Sequence, residues 1–169
     1  MGLKNGELEK CFNDALKKIE NEFDAFPWQD EEHYRFWLAQ SFYMVKHTTR
    51  YLGRLVARFG FDQENLHQFA IKHLSEENRH EIMALNDLKY LGGAIEDYPP
   101  MDVTQYMIQS QYYWLEHLPA AHFGFFFVLE TLSITKFKNK MPLLREIYPN
   151  RALTFLAHHT EEDVQHVDN

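Results

Sequence analysis

An all-α fold, a bundle of about six to seven helices, is what this sequence predicts, and three observations carry the prediction. Apolar residues recur at helical spacing over long stretches, the six Pro and seven Gly fall mostly between those stretches, and no segment reads as a strand. The 169 residues suit a single domain over 1–169, enough to bury roughly 70% of the unfolded surface.

The elements follow in order. A first helix runs through Leu8, Cys11, Phe12, Ala15, Leu16 and Ile19 and stops near Phe26-Pro27, because the proline ring disfavours continued helix. A second, from about Glu31 to Phe59, carries Phe36, Trp37, Ala39, Gln40, Tyr43, Met44, His47 and Tyr51 and ends at Gly60. Asp62 is the expected N-cap of a third helix, from about Gln63 to Leu91, closed by Gly92-Gly93. After the Tyr98-Pro99-Pro100 loop, Asp102 caps a fourth. Pro119 suits the first turn of a fifth, through Glu130 and Lys136, and Pro149-Asn150 introduces a last helix from Arg151.

Composition narrows the function classes. With 17 basic and 25 acidic residues the net charge is −8, which repels phosphate backbones and anionic membrane surfaces. The longest apolar run, Phe123 to Leu129, is far shorter than the roughly 20 residues that cross a bilayer. Met1-Gly2-Leu3-Lys4-Asn5 has no apolar signal core, so a cytoplasmic protein with no nucleic-acid or membrane partner is expected. The lone Cys11 forms no internal disulfide. The 14 Phe and 9 Tyr suggest bulky packing around something.

Chemistry concentrates in three places. In the last helix, His159, Asp163 and His166 stand at i, i+4 and i+7 and share one face. With 10 His in the chain, such an H-x3-D-x2-H pattern arises by chance about 0.03 times. Imidazole and carboxylate on one stripe suit a divalent iron or manganese ion, since neither ligand type requires a thiolate. Glu77 and His80, at i and i+3 of the third helix, repeat a spacing by which helical di-metal proteins offer a carboxylate and an imidazole to one ion. Glu130 follows the run Phe123-Gly124-Phe125-Phe126-Phe127-Val128-Leu129, where a carboxylate is costly to bury unless paired or coordinated.

The series Glu77-x2-His80, then Leu129-Glu130 after an aromatic run, then His159-x3-Asp163-x2-His166 resembles the heme-oxygenase-like di-iron oxygenases and oxidases, relatives of the TenA, PqqC and CADD-like proteins. The likeness covers roughly Glu31 to His166. It implies a heme-oxygenase-like bundle, two non-heme irons as cofactor (manganese in vitro), and metal and catalytic roles for His80, His159 and His166 with Glu77, Glu130 and Asp163. It also implies O2 and a small organic substrate as partners, an unidentified electron donor, and a homodimer. The outcome expected is N-oxygenation, desaturation, decarboxylation or C–C cleavage.

One departure stands out. Some relatives supply a carboxylate from the preceding long helix, yet between His33 and Phe61 this chain has neither Asp nor Glu, and Gln40 and His47 stand there instead. His47 is a candidate additional ligand, as is His73, seven residues before His80 on the same helical face. The other histidines, His33, His67, His117, His122 and His158, read as structural or solvent-facing. Three competing readings share the fold: a PqqC-like metal-free oxidase, a heme-binding protein using His47, and a non-catalytic helical interaction module. Relatives continue into a further helix after the last motif, so a chain lacking that helix is expected here, with the metal helping to order the segment from His158 onward.

Overall fold

The computed structural model describes the backbone of residues 5–167, and the side chains of Gly6, Glu7 and residues 10–160. Among the described residues there is no strand, and nine α-helical segments form six runs continuous in sequence. These are α1 (Asn5–Ala25); α2 (Glu31–Val45) with α3 (Thr48–Arg58); α4 (Glu64–Glu76) with α5 (His80–Tyr90); α6 (Asp102–His117); α7 (Ala121–Leu132) with α8 (Lys138–Ile147); and α9 (Thr154–Val167). No described helix is long and apolar enough to cross a membrane.

The sequence places most run ends correctly but misjudges what happens inside and at the caps. The expected second and third helices are each split, the second at Lys46-His47 and the third at Glu77–Arg79. Asp62 lies in a 3-10 turn and is not the cap of α4, whose N-cap is Gln63. Asp102 begins α6 instead of capping it; Gln40 of α2 reaches across and accepts from Met101 N (3.0 Å) and Thr104 Oγ1 (2.8 Å). The last helix starts at Thr154, after a 3-10 turn over Asn150–Ala152. Gly92, at φ +79, closes α5 with the left-handed turn that a glycine adopts at little steric cost.

Two buried clusters hold the bundle together. One joins α2, α5, α8 and α9 through Tyr34, Leu38, Leu88, Leu144 and Leu156, with Trp28 from the preceding loop. The other joins α3, α4, α6 and α7 through Tyr51, Leu52, Leu55, Ala70, Leu115 and Phe126. Three runs pass from one cluster to the other, and each is irregular where it crosses. α2–α3 loosens at Lys46-His47, α4–α5 breaks at Glu77–Arg79, and α7–α8 widens into a π-helical turn over Ser133–Phe137. The candidate site occupies this seam.

Candidate metal centre

The α4–α5 break sets the first two side chains. Arg79 is left-handed (φ 76), the only non-glycine described in that region, which costs an L-residue about 1–2 kcal/mol. Its own side chain is exposed, so the conformation serves the chain's direction. The turn halts α4 at Glu77, starts α5 at His80, and brings His80 Nδ1 to 3.2 Å from Glu77 Oε2. One turn earlier His73, 2% exposed, places Nε2 at 3.4 Å from Glu77 Oε1 and 3.3 Å from Glu130 Oε1. Glu130 is buried three residues before the π turn, a kind of irregularity often found at functional sites.

The last element arrives by a tertiary cap. Asp87 of α5 accepts from Thr154 Oγ1 (2.5 Å) and Phe155 N (2.8 Å), satisfying the start of α9 from another helix. One turn later His159 Nδ1 donates to Phe155 O at 2.8 Å, which assigns the proton to Nδ1 and leaves Nε2 as the basic ring nitrogen. His158 Nε2 lies 2.8 Å from His80 Nε2.

Glu77, His80 and His159 each offer a ligand atom, all within 4.8 Å of one another, and this is the metal-capable cluster found among the described residues. Burial works against ionisation of Glu77, but the hydrogen bonds from His73 and His80 outweigh it and hold the carboxyl well below the usual range. Burial pushes the His159 imidazole down, against the pull of Glu77, so it is neutral at pH 7. A carboxylate beside imidazole nitrogens is a donor set that fits iron. Burial raises Asp87 to about 6, opposed by its bonds to Thr154 and Phe155.

A cavity of about 120 Å³ opens beside the cluster, with Glu77, Glu130 and His159 in its wall. The rest is mostly apolar, including Trp37, Phe126, Phe137 and Phe155, with hydroxyls from Ser41, Thr48 and Ser133. α2 therefore contributes wall residues where some relatives supply a carboxylate.

Of the residues read from the sequence, Glu77, His80 and His159 converge, and Glu130 joins them through His73. Asp163 and His166, and with them the expected ordering of the chain's end, lie outside the residues whose side chains are described. His47 does not reach the cluster: its Nδ1 pairs with the Tyr112 hydroxyl at 2.8 Å. His158, read as structural or solvent-facing, meets His80; no spacing rule signals it, since a neighbour of His159 points about 100° away around the helix. Asp87 was missed as well, because a cap supplied by another helix leaves no local pattern.

The family described as Iron-containing redox enzyme matches residues 35–169. This chain belongs to that family. As an iron-containing redox enzyme it is an oxidoreductase, and Glu77, His80 and His159 form the donor cluster in which iron fits. Its fold is heme-oxygenase-like. A crystal structure of a domain of unknown function with a heme oxygenase-like fold from Shewanella denitrificans OS217 superposes with a TM-score of 0.77 at 18% identity, covering 99% of this chain and 77% of that one. Among curated proteins no match was found.

Proposed function

We propose that this member of the family is a non-heme di-iron oxidase or oxygenase that uses O2 to oxidise a small organic substrate held in the seam cavity. The observation that carries the reading is the meeting of Glu77, His80 and His159 within 4.8 Å, with Glu77 and His80 buried, His159 half-buried, and Glu77 and His159 on the wall of that cavity.

Glu77, His80 and His159 would hold one iron, with Glu130, Asp163 and His166 completing the set for a second. When bound, iron supplies the capacity to reduce O2 in single-electron steps. The chain's own residues do the rest. Phe155 O holds the proton of His159 on Nδ1, so that this imidazole presents Nε2 as its basic nitrogen, and His158 packs its Nε2 at 2.8 Å from His80 Nε2. The Trp37, Phe126, Phe137 and Phe155 side chains exclude water and receive the apolar part of the substrate. Ser41, Thr48 and Ser133 supply the hydroxyls available to orient a polar group.

Metal analysis tests the proposal. Protein reconstituted anaerobically with ferrous ion should hold close to two equivalents and develop a transient visible absorption on exposure to O2. Less than half an equivalent after careful reconstitution would overturn it.

A further inference from the structure

The proposed reaction calls for electrons, and a second region of the molecule differs from the rest in charge. Although the chain carries a net charge of −8, Lys46, Arg50, Arg54 and Arg58 follow one another at four-residue intervals along and just before α3, in a stretch free of Asp and Glu. Arg50, Arg54 and Arg58 are exposed. Glu116 of α6 pairs with Arg54 (2.6 Å) and Arg58 (3.5 Å), so four cations meet one carboxylate and the face keeps a positive surplus. Burial lowers the His47 imidazole, and Lys46 and Arg50 lower it further, as a positive local field should.

Under this face an unbroken line of rings leads inward. The Arg54 guanidinium lies 4.9 Å above the Tyr112 ring, whose hydroxyl meets His47 Nδ1. Tyr112 is 4.8 Å from Tyr51, Tyr51 is 4.9 Å from His122, His122 is 4.4 Å from Phe126, and Phe126 is 4.8 Å from His73, all between ring centroids. His73 touches both Glu77 and Glu130. His122 is fully buried, with Nδ1 donating to Gln111 Oε1 at 2.9 Å, and burial drives it down to about 4, so the line carries no charge there at neutral pH. Tunnelling decays steeply across empty gaps, and this route has none wider than a ring contact.

We propose that the basic face of α3 docks a small acidic one-electron carrier protein, and that the rings from Tyr112 to His73 conduct its electron to the iron site. The proposal rests on the iron reading above. At each encounter the carrier is oxidised by one electron and one ferric ion is reduced to ferrous, with no bond made or broken. Opposite charge brings the carrier to the face and sets its orientation, while the interior line determines where the electron goes.

The probe is a reduced plant-type [2Fe–2S] ferredoxin, mixed with iron-loaded protein and followed by binding titration and stopped-flow absorbance. Affinity should fall about tenfold as ionic strength rises from about 50 to 250 mM, and Lys46→Glu with Arg50→Glu should weaken it at least about tenfold while flattening that salt dependence. Iron content and helical circular dichroism should be unchanged in the double variant, whose substitutions lie outside the cavity wall. Tyr112→Leu should leave affinity intact and slow reduction of the iron several-fold. Equal affinity in the double variant overturns the docking surface, and an unchanged reduction rate in Tyr112→Leu overturns the route. Absence of iron from the wild-type protein would be seen before any ferredoxin is added and counts against the iron reading, while the binding titration still reports on docking.

Discussion

The Trp28–Tyr34 cluster and the seam beside it are both buried, yet they treat polar atoms in opposite ways. In the cluster three buried polar side-chain atoms close on backbone carbonyls: Tyr34 Oη donates to Ala152 O (2.9 Å), Tyr148 Oη to Trp28 O (2.9 Å) and Trp28 Nε1 to Phe23 O (2.8 Å), while Tyr98 Oη at the edge donates to the Glu32 carboxylate (3.0 Å). Such bonds satisfy buried donors and fix the packing. In the seam the titratable side chains face one another, at 3.2–3.4 Å between His73, His80, Glu77 and Glu130. One region is finished by folding. The other gathers carboxyl groups and desolvated imidazoles, an arrangement that folding alone has no reason to favour.

The largest expected effect separates the two regions directly. Trp28→Ala should cost about 3–5 kcal/mol of metal-free stability through a cavity in the packed cluster, and should leave the iron bound per folded molecule unchanged. Glu130→Gln should do the reverse, with metal-free stability equal or higher and iron lost. Urea unfolding followed by circular dichroism, with and without ferrous ion, measures both. If Glu130→Gln were as destabilising as Trp28→Ala while binding iron normally, the distinction would fail.

A smaller effect comes from two buried groups with opposed pH dependence. Asp87 is raised from 3.8 to about 6, so between those values the folded state holds a proton that the unfolded state has released, and stability falls as pH rises from about 4 to 6. His122 is lowered from 6.5 to about 4, so there the unfolded state binds a proton that the folded state refuses, and stability falls as pH drops from about 6.5 to 4. Shifts of this size are each worth on the order of 3 kcal/mol, so the two slopes largely cancel. The lowered His159 adds a slope of the same sign as His122, so wild-type stability should climb with pH between about 4 and 6, and Asp87→Asn should steepen that climb. A profile unaltered by Asp87→Asn would show that Asp87 is not the opposing group.

The smallest effect probes the turn that joins α4 to α5. Arg79→Gly should stabilise by no more than about 1 kcal/mol, since glycine adopts the left-handed conformation without strain, and should keep iron affinity. Arg79→Val should cost about 1–2 kcal/mol and weaken iron binding, because relaxing the turn moves Glu77 away from His80. Thermal unfolding and iron titration of the pair would detect both, and equal behaviour of the two variants would mean that the turn does not position the site.

Helical periodicity, Pro27, Gly60, Gly92 and the spacings Glu77-x2-His80 and His159-x3-Asp163-x2-His166 were legible in the chain by itself, because each is a local rule acting within a turn or two of helix. They were enough for an all-α bundle and for Glu77, His80 and His159, which do converge. The interior breaks were not legible. Nothing local marks Arg79 for a left-handed turn or Ser133–Phe137 for a π turn, and both arise where a run leaves one packed cluster for the other. Only the tertiary structure decided that Gln40 would cap α6, that Asp87 would cap α9, that His47 would pair with Tyr112, and that His158 would stand at the cluster. Each of these is a contact between elements distant in sequence or across a broken helix. Its partner is chosen by how the helices pack, and the residues on either side carry no trace of that choice.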